Sequence, residues 1–334
     1  MEQKEMEQKE IWEQLDEDIF RVKIPLPFPL RYVNSYLIRG ADGFALIDPG
    51  IRTGQAEAAW SQAFGELGIG RRDIKTIVLT HHHPDHLGLA GLFQQRTGAP
   101  VYLSAAGREQ ADYFWGNARE AAAEFQESYI KHGADKAMVE RLGEHLQGFI
   151  ALVSPLPETT PIEDGQRLVL GGRTFNAIHT PGHALGHHML LHEESGDLFC
   201  GDHVLQKITP NINWLPRFDE NPLRSFLRSL SQSAKLPVRR AFPGHRETIA
   251  DFAGRCGEII EHHRRRLDAI KELLAEPKTA FDLSLELFGS HLSVHQIHFA
   301  FVETMAHLVY LQEAGEVESQ ISSGGTVKFR SCAV

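Results

Sequence analysis

The stretch 76–86, TIVLTHHHPDH, constrains this chain more than any other. Residues 76–79 are apolar and partly β-branched, which predicts a buried strand of the parallel-sheet type. Pro84 cannot donate to a strand ladder, so the strand must end before it. The four histidines and Asp85 of THHHPDH (80–86) are therefore expected on a loop at the C-terminal end of that strand, where open α/β sheets place their sites.

The chain around this stretch reads as alternating elements. A strand is expected at 19–24, and strands at 33–38 and 44–47 flank a turn at 39–43 as in a hairpin. Asp48-Pro49-Gly50 closes the second of these, and 55–67 has helical character. A helix from about 87 to 96 should stop at Gly98. Residues 105–150 are rich in alanine and glutamate with helical periodicity, a long helical insertion that carries Tyr113, Phe114 and Trp115. Strands return at 167–170, 174–179, 188–192 and 197–200, followed by a helix at 222–233. This order predicts an α/β sandwich. Beyond it, a helix at 259–274, two further helices and a hairpin with a Ser-Gly-Gly turn suggest a small winged-helix-like module. The expected division is a charged tail over 1–17, a catalytic domain over 18–254 and the winged-helix-like domain over 255–334. The opening MEQKEMEQKE is charged throughout and reads as a frayed helical tail rather than a signal peptide.

Charge and cysteine usage narrow the partners. The formal net charge is −10, which disfavours a polyanionic partner. Cys200, Cys256 and Cys332 are the only cysteines and show no CxxC spacing, so a reducing cytoplasm is the simplest compartment. No apolar run approaches the ~20 residues needed to cross a membrane.

More histidine and aspartate punctuation follows later strands. HTPGH puts His183 in a Pro-Gly turn, FCGDH puts Asp202 at a strand end, and FPGH puts His245 in a second Pro-Gly turn. With His81, His83, Asp85 and His86 these make an all-imidazole and carboxylate set, suited to zinc, manganese or iron, with no thiolate placed to help. His82 points away from its neighbours by strand alternation. His187, His188, His291, His295, His298 and His307 read as packing or surface residues.

These motifs, THHHPDH, PGH183, GD202 and PGH245, resemble the metallo-β-lactamase superfamily and its HxHxDH signature over about residues 18–250. The resemblance implies a four-layer αββα sandwich with two metals at one edge, zinc first, manganese or iron otherwise. It implies that His81, His83 and His183 hold one metal, that Asp85, His86 and His245 hold the other, and that Asp202 bridges them. A hydroxide held between two such metals is a nucleophile at neutral pH. Asp85 is the candidate to take a proton as the intermediate collapses. Asp48 is a candidate to orient a ligand histidine, or caps a turn. His203 is either a substrate contact or a satisfied structural histidine. Tyr113, Phe114 and Trp115 are either helix packing or an aromatic wall that buries an apolar acyl or ring group. The C-terminal segment looks like the winged-helix appendage of one branch of these hydrolases. Yet residues 278–334 hold three basic against six acidic residues, and the helix expected over 293–314 has no lysine or arginine to neutralise phosphates. That argues against nucleic acid and for a packing helix that serves the hydrolase domain or a homodimer contact. Arg264-Arg265-Arg266 reads as a solvated helix face.

The expected protein is a binuclear metallohydrolase of a small ester, thioester or lactone. Its rivals are an endoribonuclease or phosphodiesterase, and a mononuclear iron dioxygenase acting on a thiol.

Overall fold

The computed structural model describes residues 11–215 and 217–332. The segment MEQKEMEQKE, expected as a helical tail, lies outside the described residues. The first sheet has seven strands in chain order: β1 (Trp12–Asp16), β2 (Ile19–Pro25), β3 (Tyr32–Gly40), β4 (Gly43–Ile47), β5 (Ile74–Val78), β6 (Val101–Tyr102) and β7 (Thr159–Thr160). Strands β1 to β4 pair antiparallel, and β4 to β7 pair parallel. Strand β5, which feeds THHHPDH, thus has a parallel neighbour on each side, which explains its unbroken apolar run. The second sheet holds β8 (Arg167–Leu170), β9 (Arg173–His179), β10 (His188–His192), β11 (Asp197–Gly201) and β12 (Arg240–Pro243), in the order β12-β11-β10-β9-β8. Only the β11–β12 pair is parallel.

The two sheets face each other across Tyr36, Ile38, Ile47, Val78, Phe175, Phe199 and Phe242. The outer face of the first sheet packs Leu46 and Ile77 against Trp60 of α1 (Gly54–Leu67). Two short helices, α2 (Pro84–Leu87) and α3 (Ala90–Thr97), complete that layer. The outer face of the second sheet packs Leu198 and Cys200 against helical side chains that come later in the chain, including Leu223, Phe226 and Ile259. This gives the four-layer αββα sandwich. The helix expected at 87–96 is broken at Gly88, because Pro84 has the fixed φ that suits a first helical position and starts the turn early. A Cβ on Gly88 would lie 2.4 Å from the Leu152 carbonyl oxygen, so the chain passes too closely there for any side chain.

The insertion is helical as expected: α4 (Ala105–Ala111), a wide turn over Asp112–Gly116, α5 (Ala118–Lys131) and α6 (Lys136–Gly148). Helix α7 (Pro222–Ser233) then precedes β12. The last part of the chain is α8 (Phe252–Leu273), α9 (Ala280–Phe288), α10 (Val294–Glu313) and a hairpin of β13 (Val317–Ile321) and β14 (Val327–Ser331). Helix α10 starts at a capping box in which Ser293 and Gln296 satisfy each other's backbone N–H groups.

Both expected domain limits shift. Strand β1 lies inside the segment assigned to the tail. Its charged composition hid a packed edge, where Trp12 meets Phe20 edge to face at 6.1 Å. At the other end, α8 runs across the 254/255 boundary. No core separates the terminal helices from the sandwich. Phe301, Met305, Leu308 and Leu311 of α10 are buried in the same cluster as Met189, Leu191 and Leu198 of the second sheet. The apolar face of α10 is therefore spent within its own chain, the first of the two roles its sequence allowed. No helix among the described residues is long and apolar enough to cross a membrane.

Candidate metal centre

Four strand ends build one site. The THHHPDH loop leaves β5, His183 follows β9, Asp202 follows β11 and His245 follows β12. The backbone allows this convergence only with glycine at two places. Gly201 has φ +49, and a Cβ there would lie 2.6 Å from His187 Nε2. A Cβ on Gly244 would lie 2.3 Å from Asp202 Oδ1 and 2.6 Å from His86 Cε1.

The seven residues picked from the sequence come together as two clusters. His81 Nε2 stands 3.0 Å from His83 Nδ1 and 3.3 Å from His183 Nε2. Nitrogen ligands at ~2.0–2.1 Å from a tetrahedral zinc lie about 3.3 Å apart, so these three imidazoles fit the edges of one coordination sphere. In the second cluster His245 Nε2 lies 3.2 Å from Asp85 Oδ2, and His86 Nε2 lies 3.9 Å from the same oxygen. Asp202 sits between the two. Its Oδ2 is 3.7 Å from His183 Nε2 and 3.4 Å from His245 Nε2, and its Oδ1 is 3.6 Å from His86 Nε2. His86 Nε2, His245 Nε2 and Asp202 Oδ1 are buried with no hydrogen-bond partner among the described residues. Buried polar atoms are seldom left so, and a metal ion is the partner this donor set fits.

Four of the five imidazoles are aimed from behind. His86 Nδ1 donates to Asp48 Oδ2 at 2.8 Å, His183 Nδ1 to the Asn211 carbonyl at 2.8 Å, and His245 Nδ1 to the Tyr32 carbonyl at 2.9 Å. His81 Nδ1 donates to Thr80 Oγ1 at 3.0 Å, and that hydroxyl donates onward to Asp48 Oδ2 at 2.7 Å. These bonds fix the tautomers, leaving the Nε2 lone pairs to point inward. Asp48 is thus the orienting carboxylate, held in a left-handed conformation (φ 50) and almost fully buried. Its Oδ1 also accepts the Thr80 backbone N–H at 2.8 Å.

The electrostatics divide the clusters. Burial, reinforced by neighbouring imidazoles, pushes His81 and His83 well below the ordinary histidine pKa, so they are neutral. Burial works against charge on His86 and His245 too, but the carboxylates win. Asp202, Asp48 and Asp85 hold His86 well above its ordinary value, and Asp202 with Asp85 lifts His245 to about 10. Burial raises Asp85 and Asp202, and their histidine neighbours more than reverse it, leaving both lowered.

A cleft of about 1050 Å³, open to solvent, ends on this centre. His82, His83, Asp85 and Asn213 form its polar end, and Phe28, Phe114, Trp115, Phe125, Phe149 and Phe299 line the rest. Phe114 and Trp115 thus line the cleft wall. Tyr113 does not belong to it. Its hydroxyl donates to Glu124, and its ring lines a separate hollow with Trp214 and Phe218. Trp115 is also a strut, since its Nε1 donates to the His82 carbonyl at 3.1 Å. Of the two readings of His203, the geometry fits the structural one: it is fully buried, and its Nε2 meets Ser233 Oγ of α7 at 3.0 Å. Strand alternation at Asp202-His203 could not show which side of the loop α7 would cover. His82 lies outside both clusters, stacked on Phe114.

Sequence reasoning missed several residues. His187 Nε2 accepts the Asp202 backbone N–H at 3.2 Å, so it holds Asp202 rather than merely packing. His295 and His298 of α10 line the cleft, with His295 stacked on Phe28 at 4.7 Å. Polar residues spaced i, i+3 on an otherwise apolar helix were the available signal for these two. Asn211 and Asn213 sit in a loop without periodicity, which gave no signal at all.

Comparison with known proteins agrees with this geometry. The model of the metallo-beta-lactamase superfamily matches residues 28–245, and that of the metallo-beta-lactamase-like C-terminal domain matches residues 267–332. The chain is 30% identical over 328 residues to the probable metallo-hydrolase YqjP of Bacillus subtilis (strain 168), covering 94% of this chain and 98% of that protein. It is 26% identical over 265 residues to the atrochrysone carboxyl ACP thioesterase dmxR1 of Cryptosporiopsis sp. (strain 8999), spanning 78% of this chain and 64% of that one. Among solved structures, a metallo-beta-lactamase family protein from Thermus thermophilus superposes with a TM-score of 0.85 at 38% identity, over 96% of this chain and 100% of the other. With this sandwich, this centre at its strand ends and this terminal domain, the chain belongs to the metallo-β-lactamase superfamily and is one of its metallo-hydrolases.

Proposed function

We propose that the protein is a binuclear, zinc-dependent hydrolase of small esters or thioesters that carry an apolar acyl or aromatic group. The cleft carries this reading: it ends on His83 and Asp85, its walls are aromatic and aliphatic, and among the described residues no lysine or arginine lines it. Such walls remove an acyl chain from water at roughly 25 cal/mol per Å² of apolar surface. Beyond the metals, a phosphodiester would find no lysine or arginine there among the described residues, which counts against the nuclease reading. A complete Asp85, His86 and His245 cluster counts against a mononuclear iron dioxygenase. The thioesterase among the relatives supports the acyl reading.

In this reading His81, His83 and His183 hold one metal, Asp85, His86 and His245 the second, and Asp202 both. Two bound metal ions would polarise the substrate carbonyl and lower the pKa of water to roughly 7. The chain's own residues do the rest. Asp48, Thr80, Asn211 and Tyr32 hold the imidazoles in register. Asp85 Oδ2, at the polar end of the cleft, takes a proton from the attacking water and returns it to the departing alkoxide or thiolate. Phe114, Phe149 and Phe299 bind the acyl part and keep bulk water from it. The substrate is a small molecule. The free thiols Cys200, Cys256 and Cys332 support a cytoplasmic setting.

Elemental analysis of protein purified without added metal, followed by a panel of acyl thioesters, aryl esters, lactones and a diaryl phosphate, tests this. About two zinc per chain with turnover rising with acyl length is expected. One iron per chain with oxygen uptake on thiols, or a preference for the phosphate, would overturn it.

A further inference from the structure

The loop that follows Asp202 is held by side chains and backbone of α8 and α10. Arg255 of α8 donates from Nε to the Leu205 carbonyl and from Nη2 to the Ile208 carbonyl, each at 2.8 Å. Further on, Asn211 Nδ2 donates to Glu303 Oε2 at 2.7 Å and lies 3.1 Å from the Phe299 carbonyl. The Trp214 N–H donates to the Val302 carbonyl at 3.3 Å. Both asparagines of this loop reach ligands of the three-histidine cluster. The Asn211 carbonyl accepts from His183 Nδ1, and the Asn213 amide lies 3.3 Å from His83 Nε2. Glu303 is 4% exposed, and its other oxygen, Oε1, is paired with Arg266 of α8. The Arg266 charge is what permits a carboxylate at that depth.

We propose that Glu303, locked by Arg266, is a positioning residue for the metal centre: through the Asn211 side chain it fixes the loop whose backbone carbonyl orients His183. The terminal helices then set His183 in the His81, His83 and His183 subsite, in which His81 is held by Thr80 instead. They leave the other subsite alone, because His86 is oriented by Asp48 and His245 by the Tyr32 carbonyl, both from the first sheet and its loops. Glu303 also lies near His263 and His307. Both of its oxygens are already engaged, and Arg266 beside it would repel a cation, so the carboxylate serves the loop and not a third metal.

This rests on the assignment of the two subsites above. Orienting partners of ligands change metal affinity by about 10–100-fold when removed. In an Asp85→Ala background, which leaves the three-histidine subsite to be measured, Glu303→Ala should weaken zinc binding by that factor in a chelator competition. Asn211→Ala, which keeps the Arg266–Glu303 pair and hence the fold, should do the same. In a His83→Ala background, which leaves the other subsite, neither change should alter affinity. Phe329→Ala, a buried change in the same terminal module, controls for general loss of stability. Equal weakening of both subsites, weakening matched by Phe329→Ala, or no weakening by Asn211→Ala would overturn the proposal. A wild-type protein that binds no metal would overturn the metal centre itself.

Discussion

At the scale of single residues, the centre places one carboxylate where it can be removed without opening a core. The Asp85 side chain is 18% exposed at the polar end of the cleft. Asp85→Ala should therefore lose one equivalent of metal and about 100-fold or more in turnover, while its melting curve in the absence of metal stays close to wild type. Turnover within a few-fold of wild type would remove Asp85 from the reaction. Asp48 acts at one remove, through His86 Nδ1 and the Thr80 N–H. Asp48→Asn should weaken metal binding by about 10–100-fold, as read by chelator competition. The histidines also give a pH signature. His245 of the metal-free protein has its pKa raised from the ordinary 6.5 to about 10. A raised folded-state pKa means that its contribution to stability is full below pH 6.5 and is lost as the pH rises toward 10. The melting temperature of chelated protein should fall across that window. Zinc-loaded protein should not follow, because loading expels the proton and zinc affinity rises with pH. Parallel decline of both forms would sink this account.

At the scale of elements, the insertion and α10 meet over the cleft. Phe114 comes from the wide turn after α4, Phe149 follows α6, and Phe299 comes from α10. Phe299→Ala should raise KM for long acyl chains by ~1–3 kcal/mol and for short ones much less. Trp115→Ala should behave differently, because Trp115 also holds the His82 carbonyl of the metal loop. It should lower kcat for every chain length besides raising KM for the long ones. A chain-length series of thioesters separates the two patterns. The same elements show where sequence reading stopped. The insertion was legible as helical from its alanine and glutamate periodicity. That Phe114 and Trp115 face the cleft while Tyr113 turns to Glu124 was not, since a wide helical turn breaks the 3.6-residue phase on which such reasoning rests.

At the scale of the whole molecule, the terminal helices and the sandwich share one core. Phe301 is fully buried and lies 4.1 Å from the Tyr129 ring of the insertion. Phe301→Ala should cost about 3–5 kcal/mol in denaturant unfolding, in one transition common to both parts. Two separate transitions would show that the terminal module folds by itself. By the same reasoning, removal of residues 278–334 should leave insoluble protein, because it uncovers the outer face of the second sheet.

The sequence by itself determined which strand ends carry the clustered histidines and aspartates, and the layered α/β order. Those features are local: a proline stops a strand, a Pro-Gly turn follows one, an apolar run has no alternation. Even α10 was bounded correctly, because its cap lies within four residues of its start. Tertiary structure alone decided which histidines became ligands' supports and which became pocket walls. No local pattern assigned the partners of His187, His203, His295 and His298, of which one holds Asp202, one meets Ser233 and two line the cleft. The sandwich also decided that Glu303 and Arg266, 37 residues apart on two helices, would meet behind Asn211. Neither charge carries a local pattern, and only the docking of α8 and α10 on the second sheet brings them to the same buried point, where low polarity makes their pairing obligatory.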